Sequence, residues 1–187
     1  MSDRDYITQR HVHLTSPEEL FRYYAPHRVE GYCRECPLYG RFWSCPPHPF
    51  SGRAYLSPFS QALLLAERIT RNPAVPATRT LEEIFQEARR LLGEELRIFV
   101  EGKENLEVLI AGNCYHCPRC SREEGQPCRF PEKRRYSLES LGFLVSDMIQ
   151  EKLALPLEWP SQGQEPAALV AVALVVAKDG EVLRELL

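Results

Sequence analysis

The chain has 187 residues, 23 basic and 26 acidic, giving a formal net charge of −3 at pH 7 and no electrostatic footprint for general nucleic-acid or membrane binding. With 44% hydrophobic residues and 10% aromatics it can bury a core, which excludes wholesale disorder, and no run approaches the roughly 18 apolar residues of a membrane span. The polar, charged start from Met1 to Tyr6 has no apolar signal-peptide core behind it, so the expectation is a soluble cytoplasmic protein.

Near the N-terminus, His11 and His13 alternate in an expected edge strand. Ser16 and Glu19 form a capping-box signature with Pro17 at the first helical position, opening a short helix through about Tyr24. A first cysteine window follows, Cys33, Cys36, Cys45 and His48 in the pattern C-x2-C-x8-C-x2-H, and Gly31, Pro37, Gly40, Pro46, Pro47 and Pro49 mark it as loop rather than helix. Three thiolates and an imidazole in paired spacing suit a tetrahedral zinc site. They equally suit an iron–sulfur cluster on three cysteines, its fourth position taken by His48, by a residue from elsewhere in the chain or by an exogenous ligand. A histidine between prolines is also often a plain surface residue. Tyr39, Phe42 and Trp43 within the window are expected to shield the centre from water.

Ala62 to Ile69 reads as an apolar strand and Asn72 to Thr78, with two prolines, as a linker. Thr80 and Glu83 cap the clearest helix, with Leu81, Ile84, Phe85, Ala88, Leu91 and Leu92 on one face as core. Leu106 to Ala111 is the next strand, and Gly112-Asn113 turns it directly into a second window.

That window places Cys114, Cys117, Cys120 and Cys128 in the pattern C-x2-C-x2-C-x7-C. Each C-x2-C step lets two thiolates from one turn of loop converge. Structural zinc normally takes two ligands from each of two knuckles, whereas iron–sulfur clusters commonly use such a series closed by a more distant cysteine. Seven residues between Cys120 and Cys128 leave enough chain for Cys128 to return to the same centre. His116 is expected to donate to a sulfur rather than ligate. All seven cysteines lie in these two windows, and an odd number cannot pair off as disulfides. Cys117-Pro118-Arg119-Cys120 has the form of a redox dithiol, but its flanking cysteines would be superfluous for that chemistry. The basic run Arg119, Arg122, Arg129, Lys133, Arg134 and Arg135 would favour a reduced cluster and an acidic partner, or is simply a solvated loop.

Ser137 is expected to cap an amphipathic helix bearing Leu138, Leu141, Leu144, Val145, Met148 and Ile149. Pro156 to Pro166 is a loop, Ala167 to Ala177 a buried strand, Lys178-Asp179-Gly180 a turn, and Val182 to Leu187 a short strand or a helical turn. There is no G-x-G-x-x-G, P-loop, H-E-x-x-H or G-x-S-x-G, and no C-x3-C-x2-C motif. A separate metal site on His11, His13 and His27 is disfavoured.

The segments Cys33-x2-Cys36-Pro-Leu-Tyr-Gly-x-x-Trp-x-Cys45-Pro-Pro and Gly112-x-Cys114-x2-Cys117-x2-Cys120-x4-Gly125-x-Pro127-Cys128-Arg-x-Pro131 resemble those of DUF2284, a family of small prokaryotic proteins described as predicted metal-binding. The resemblance covers most of the chain, including the stretch from Ser137 to Gly142 and the C-terminal apolar strand, and both cysteine windows occur in the family's order. It implies metal binding through these cysteines and supplies no settled reaction or substrate.

The reading is therefore a single α+β domain over residues 1–187: a small, mainly antiparallel or mixed sheet with helices on one face and two cysteine-rich metal-binding loops. Its expected cofactor is one [4Fe–4S] cluster on Cys114, Cys117, Cys120 and Cys128, with Cys33, Cys36, Cys45 and His48 as metal ligands of a second centre, iron–sulfur or zinc. The function expected is electron transfer to a redox protein partner or a redox step on a small molecule, without nucleic acid or membrane. The competing readings are a structural zinc module that binds another protein and a reversible metal-handling or sensing protein. Whether it is an enzyme, and its oligomeric state, stay open at this point.

Overall fold

The computed structural model describes residues 4–158, 164–179 and 181–187. Strands β1 (Tyr6–Thr15), β2 (Gln61–Arg71), β3 (Leu106–Ile110) and β4 (Leu169–Ala177) form one sheet in the order β1-β2-β4-β3, with every neighbouring pair antiparallel. The helices are α1 (Pro17–Leu20), α2 (Pro26–Glu35), α3 (Gly52–Leu56), α4 (Leu81–Val100) and α5 (Val145–Leu153). This is the expected α+β class. Among the described residues no helix is long and apolar enough to cross a membrane.

Strand periodicity divides the core in two. Leu63, Leu65 and Ile69 of β2 and Ala171, Ala173, Val175 and Ala177 of β4 face α4, whose Ile84, Ala88, Leu92 and Leu96 complete that layer. The intervening Ala62, Leu64 and Ala66, with Val172, Leu174 and Val176, face the opposite layer of Leu20, Leu56, Phe143, Met148 and Ile149. Helices therefore cover both faces of the sheet, not one as expected. The central strands are covered on both sides, and this is why Ala167 to Ala177 reads as an unbroken apolar run rather than an alternating one.

Local signals explain most boundaries. Ser16 accepts from the Glu19 amide with Pro17 at the first helical position, and Thr80 and Glu83 make the reciprocal capping box that starts α4. Two expectations are corrected. The first window is not wholly loop, because α2 starts at Pro26, is supported by a Glu30–Arg34 ion pair one turn apart, and carries Cys33 in its last turn. The helix expected from Ser137 is broken. Ser137 opens a tight turn over Glu139–Leu141, and Gly142 at φ +93° reverses the chain before α5 begins at Val145. A Cβ on Gly142 would meet Pro26 Cα at 3.0 Å, so this break is also where the chain passes the start of α2.

The C-terminal Glu181–Leu186 is a 3-10 helix, the helical alternative of the two expected. The expected loop over Pro156 to Pro166 lies, at residues 159–163, outside the described residues, as does Gly180 of the following turn.

Candidate metal centre

The first cysteine set is built at the C-terminus of α2. Cys33 is in its last turn and Cys36 caps it, the Cys36 amide donating to the Cys33 carbonyl at 3.1 Å. The chain returns through Gly40, whose amide donates to the Pro46 carbonyl at 3.0 Å, and presents Cys45 to the same space. Cys33, Cys36 and Cys45 share the wall of a cavity of about 560 Å³ with Tyr39, Glu139 and Asp147. Burial pushes the Cys33 and Cys45 thiols up to about 11, and the Glu139 carboxylate pushes both in the same direction.

The second set hangs from the end of β3. Gly112, at φ +84°, and Asn113 turn the strand into the window. Cys114, Cys117, Cys120 and Cys128 all line one small cavity of about 20 Å³, with Phe42, Trp43 and Phe130 around it. Cys128 returns because residues 121–127 close on themselves. Ser121 Oγ donates to the Pro127 carbonyl at 2.7 Å, and the Gln126 amide to the Ser121 carbonyl at 3.0 Å. Burial raises the Cys114 thiol, while the backbone amide of His116 hydrogen-bonds to it and opposes the shift. Amides aimed at sulfur stabilise the thiolate and tune a bound metal.

The windows interlock. The Arg122 guanidinium donates to the carbonyls of Phe42 at 2.8 Å, Cys45 at 2.6 Å and Pro47 at 2.9 Å, and stacks over Trp43. Trp43 Nε1 returns a bond to the Gln126 carbonyl at 3.0 Å, and Arg41 pairs with Glu123. Much of the basic run is therefore engaged within the protein. Arg119 pairs with Glu123, Arg129 with Glu124, and Arg135 donates to the carbonyls of Glu132 and Arg134.

His48 stands apart from both cavity walls. Its ring stacks on Phe50 at 5.2 Å and meets the edge of Tyr136 at 4.9 Å, and its buried Nε2 has no partner among the described residues. Burial lowers its pKa to about 4, with Arg122 and Arg134 pushing the same way. Among the described residues, no three or more His, Cys, Asp or Glu side chains are gathered as ligands of a single ion. Each set nevertheless lines one cavity with three or four thiols, a donor set suited to zinc or to an iron–sulfur cluster.

Three residues at this site escape a reading of the sequence. Arg89, in the apolar stripe of α4, donates to the carbonyls of Ala111 and Asn113. Gly93, one turn on, leaves room for the Tyr115 ring. Glu139 accepts from the Gly112 amide at 3.2 Å. A charged residue inside an apolar stripe, four residues before a mid-helix glycine, is the one sequence signal that could have exposed the first two.

Two cysteine sets held by turns, one of them with a backbone amide directed at sulfur and both flanked by aromatics, make up a candidate metal centre. The chain belongs to the DUF2284 family of predicted metal-binding proteins, whose model matches residues 23–175. No curated protein and no solved structure matches it.

Proposed function

We propose that the chain is a cytoplasmic iron–sulfur protein that carries out a redox step on a small molecule. Cys114, Cys117, Cys120 and Cys128 hold one [4Fe–4S] cluster, and Cys33, Cys36 and Cys45 hold a second centre. The observation that carries this reading is the asymmetry of the two sets: four thiols around a cavity of about 20 Å³, three on the wall of one of about 560 Å³. The larger volume falls in the range of roughly 300–1,000 Å³ typical of ligand sites.

When bound, the clusters supply one-electron transfer and, where a thiolate is lacking, Lewis acidity. The chain's own residues do the rest. Val29, Leu38, Phe143 and Val145 give the cavity an apolar lining, while Asn113, Ser137, Ser146 and Glu139 on the same wall offer hydrogen bonds to orient a ligand. His48 packs away from that wall, so the fourth position of the first set is read as facing the cavity.

A structural zinc pair is the second reading, favoured by the way Arg122, Trp43 and Arg41 tie the two windows into one unit. Iron, acid-labile sulfide and zinc analysis of anaerobically purified protein separates the two. The expected result is roughly four to eight iron atoms per chain with matching sulfide and a broad visible absorption. One or two zinc ions with neither iron nor sulfide would overturn the iron–sulfur reading.

A further inference from the structure

Arg89 is only 5% exposed, and among the described residues it forms no ion pair; its hydrogen bonds go to the Ala111 and Asn113 carbonyls. A buried cation with no ion-pair partner is costly, so the groups that face it matter. Asn113, to which it donates, precedes Cys114, and the Cys114 amide donates to Ser44 Oγ at 2.9 Å, one residue before Cys45. Gly112 makes the cradle: a Cβ there would lie 2.9 Å from the Arg89 guanidinium. The Tyr115 ring lies 5.3 Å from the guanidinium carbon. Burial lowers the pKa of Arg89, and Tyr115, Glu139, Cys114 and Cys45, one cysteine from each set, oppose that shift when ionised.

From this placement we infer that Arg89 is the shared internal counter-cation of the two cysteine sets, balancing from inside the fold the negative charge that metal-bound thiolates bring to Cys45 and Cys114. Reduction adds a further negative charge at each cluster. Arg89 therefore raises the reduction potential of both, and Glu139, close by with the opposite sign, lowers it. Arg89 is a positioning residue, acting through the charge of the centres and through the turn that carries Cys114. The inference rests on the iron–sulfur reading only for the identity of the metal.

The test is a redox titration of the anaerobically purified full-length chain, followed by visible absorption and electron paramagnetic resonance. Arg89→Gln is expected to lower the potential of both centres, at least one of them by 59 mV or more, the one-electron equivalent of a tenfold change in the oxidised-to-reduced ratio. Arg89→Lys, which keeps the charge but not the planar fork, is expected to lower it by less than half as much, and Glu139→Gln to raise it. A role confined to holding the turn would move the potentials as far in Arg89→Lys as in Arg89→Gln. The inference is overturned if Arg89→Gln leaves either potential unmoved, or if Arg89→Lys moves them as far as Arg89→Gln. Should Arg89→Gln fail to fold, Glu139→Gln decides, and an unchanged or lowered potential in it overturns the inference. A chain that carries zinc without iron sinks the iron–sulfur reading separately. The same variants are then read by Zn²⁺ affinity in chelator competition, where Arg89→Gln is expected to bind at least tenfold more weakly and unchanged affinity overturns the inference.

Discussion

The Cys114 amide donates to Ser44 Oγ at 2.9 Å, joining the first residue of one cysteine set to the neighbour of the last residue of the other. Ser44 is fully buried, and its carbonyl also accepts from the Ser137 amide at 3.1 Å. Ser44 thus adds its own tie between the two sets to those of Arg122, Trp43 and Arg41. Ser44→Ala leaves the Cys114 amide without its partner at an expected cost of about 1–3 kcal/mol. The expected outcome is a lower unfolding midpoint together with reduced metal content at both sets, read by thermal melts and metal analysis. Loss confined to one set would show that they are held independently.

Gly93 and Gly31 are expected to respond to alanine in opposite directions. A Cβ on Gly93 would lie 1.6 Å from the Tyr115 hydroxyl oxygen and 2.9 Å from Ile110 Cδ1, so the ring beside Cys114 must move. Gly93→Ala is expected to destabilise by about 1–3 kcal/mol, the usual overpacking range, and to lower metal retention at the second set before the first. Gly31, in α2, has nothing within 4 Å of its Cβ position, and Gly31→Ala is expected to stabilise by about 0.5–1 kcal/mol through helix propensity. Denaturant melts of the two variants check both signs.

What the sequence displays about this protein follows the range of the forces involved. The capping box at Thr80, the stripe of α4 and the run ending at Ala177 are local patterns, and each appears where its pattern places it. The cysteine spacings are local too, so both sets could be named from the chain alone. The helix across Cys33 was hidden because α2 buries only Val29, leaving almost no apolar periodicity, while its glycine and the prolines beyond it mimic a loop. The break at Gly142 was hidden because Leu138 and Leu141 keep helical spacing with Val145 and Met148 although they belong to a separate turn. Contacts such as Arg122 with the carbonyls around Cys45 join residues about 80 apart and leave no trace in either window.

The thiols of the first set make metal binding a proton-releasing event. With Cys33 and Cys45 pushed up to about 11 by burial, both are protonated at neutral pH in the metal-free chain, and a metal must displace those protons. Affinity is therefore expected to fall as pH falls, with proton release on loading visible to an indicator dye in weak buffer. Stability has the opposite trend. Between pH 9, the ordinary thiol value, and about 11 the folded metal-free chain holds more protons than the unfolded one, so it loses stability as pH rises through that window. The metal-loaded chain is expected to lack this alkaline loss, because its thiols are already deprotonated in the folded state.

His48 gives the matching effect on the acid side and tests whether it is a ligand. Its folded pKa is lowered from 6.5 to about 4 by burial against Phe50 and Tyr136. Between those values the unfolded chain takes up a proton that the folded chain refuses, so stability falls as pH drops from 6.5 toward 4. His48→Phe keeps a ring stacked on Phe50 and removes the titrating group, and is expected to flatten that acid-side loss in urea melts taken across the window. Metal content at the first set is expected to stay at the wild-type level in the same variant, since the imidazole packs among aromatics and not on the wall shared by Cys33, Cys36 and Cys45. If His48→Phe loses that metal while Cys114, Cys117, Cys120 and Cys128 keep theirs, His48 is the fourth ligand, and the position read as facing the cavity is closed.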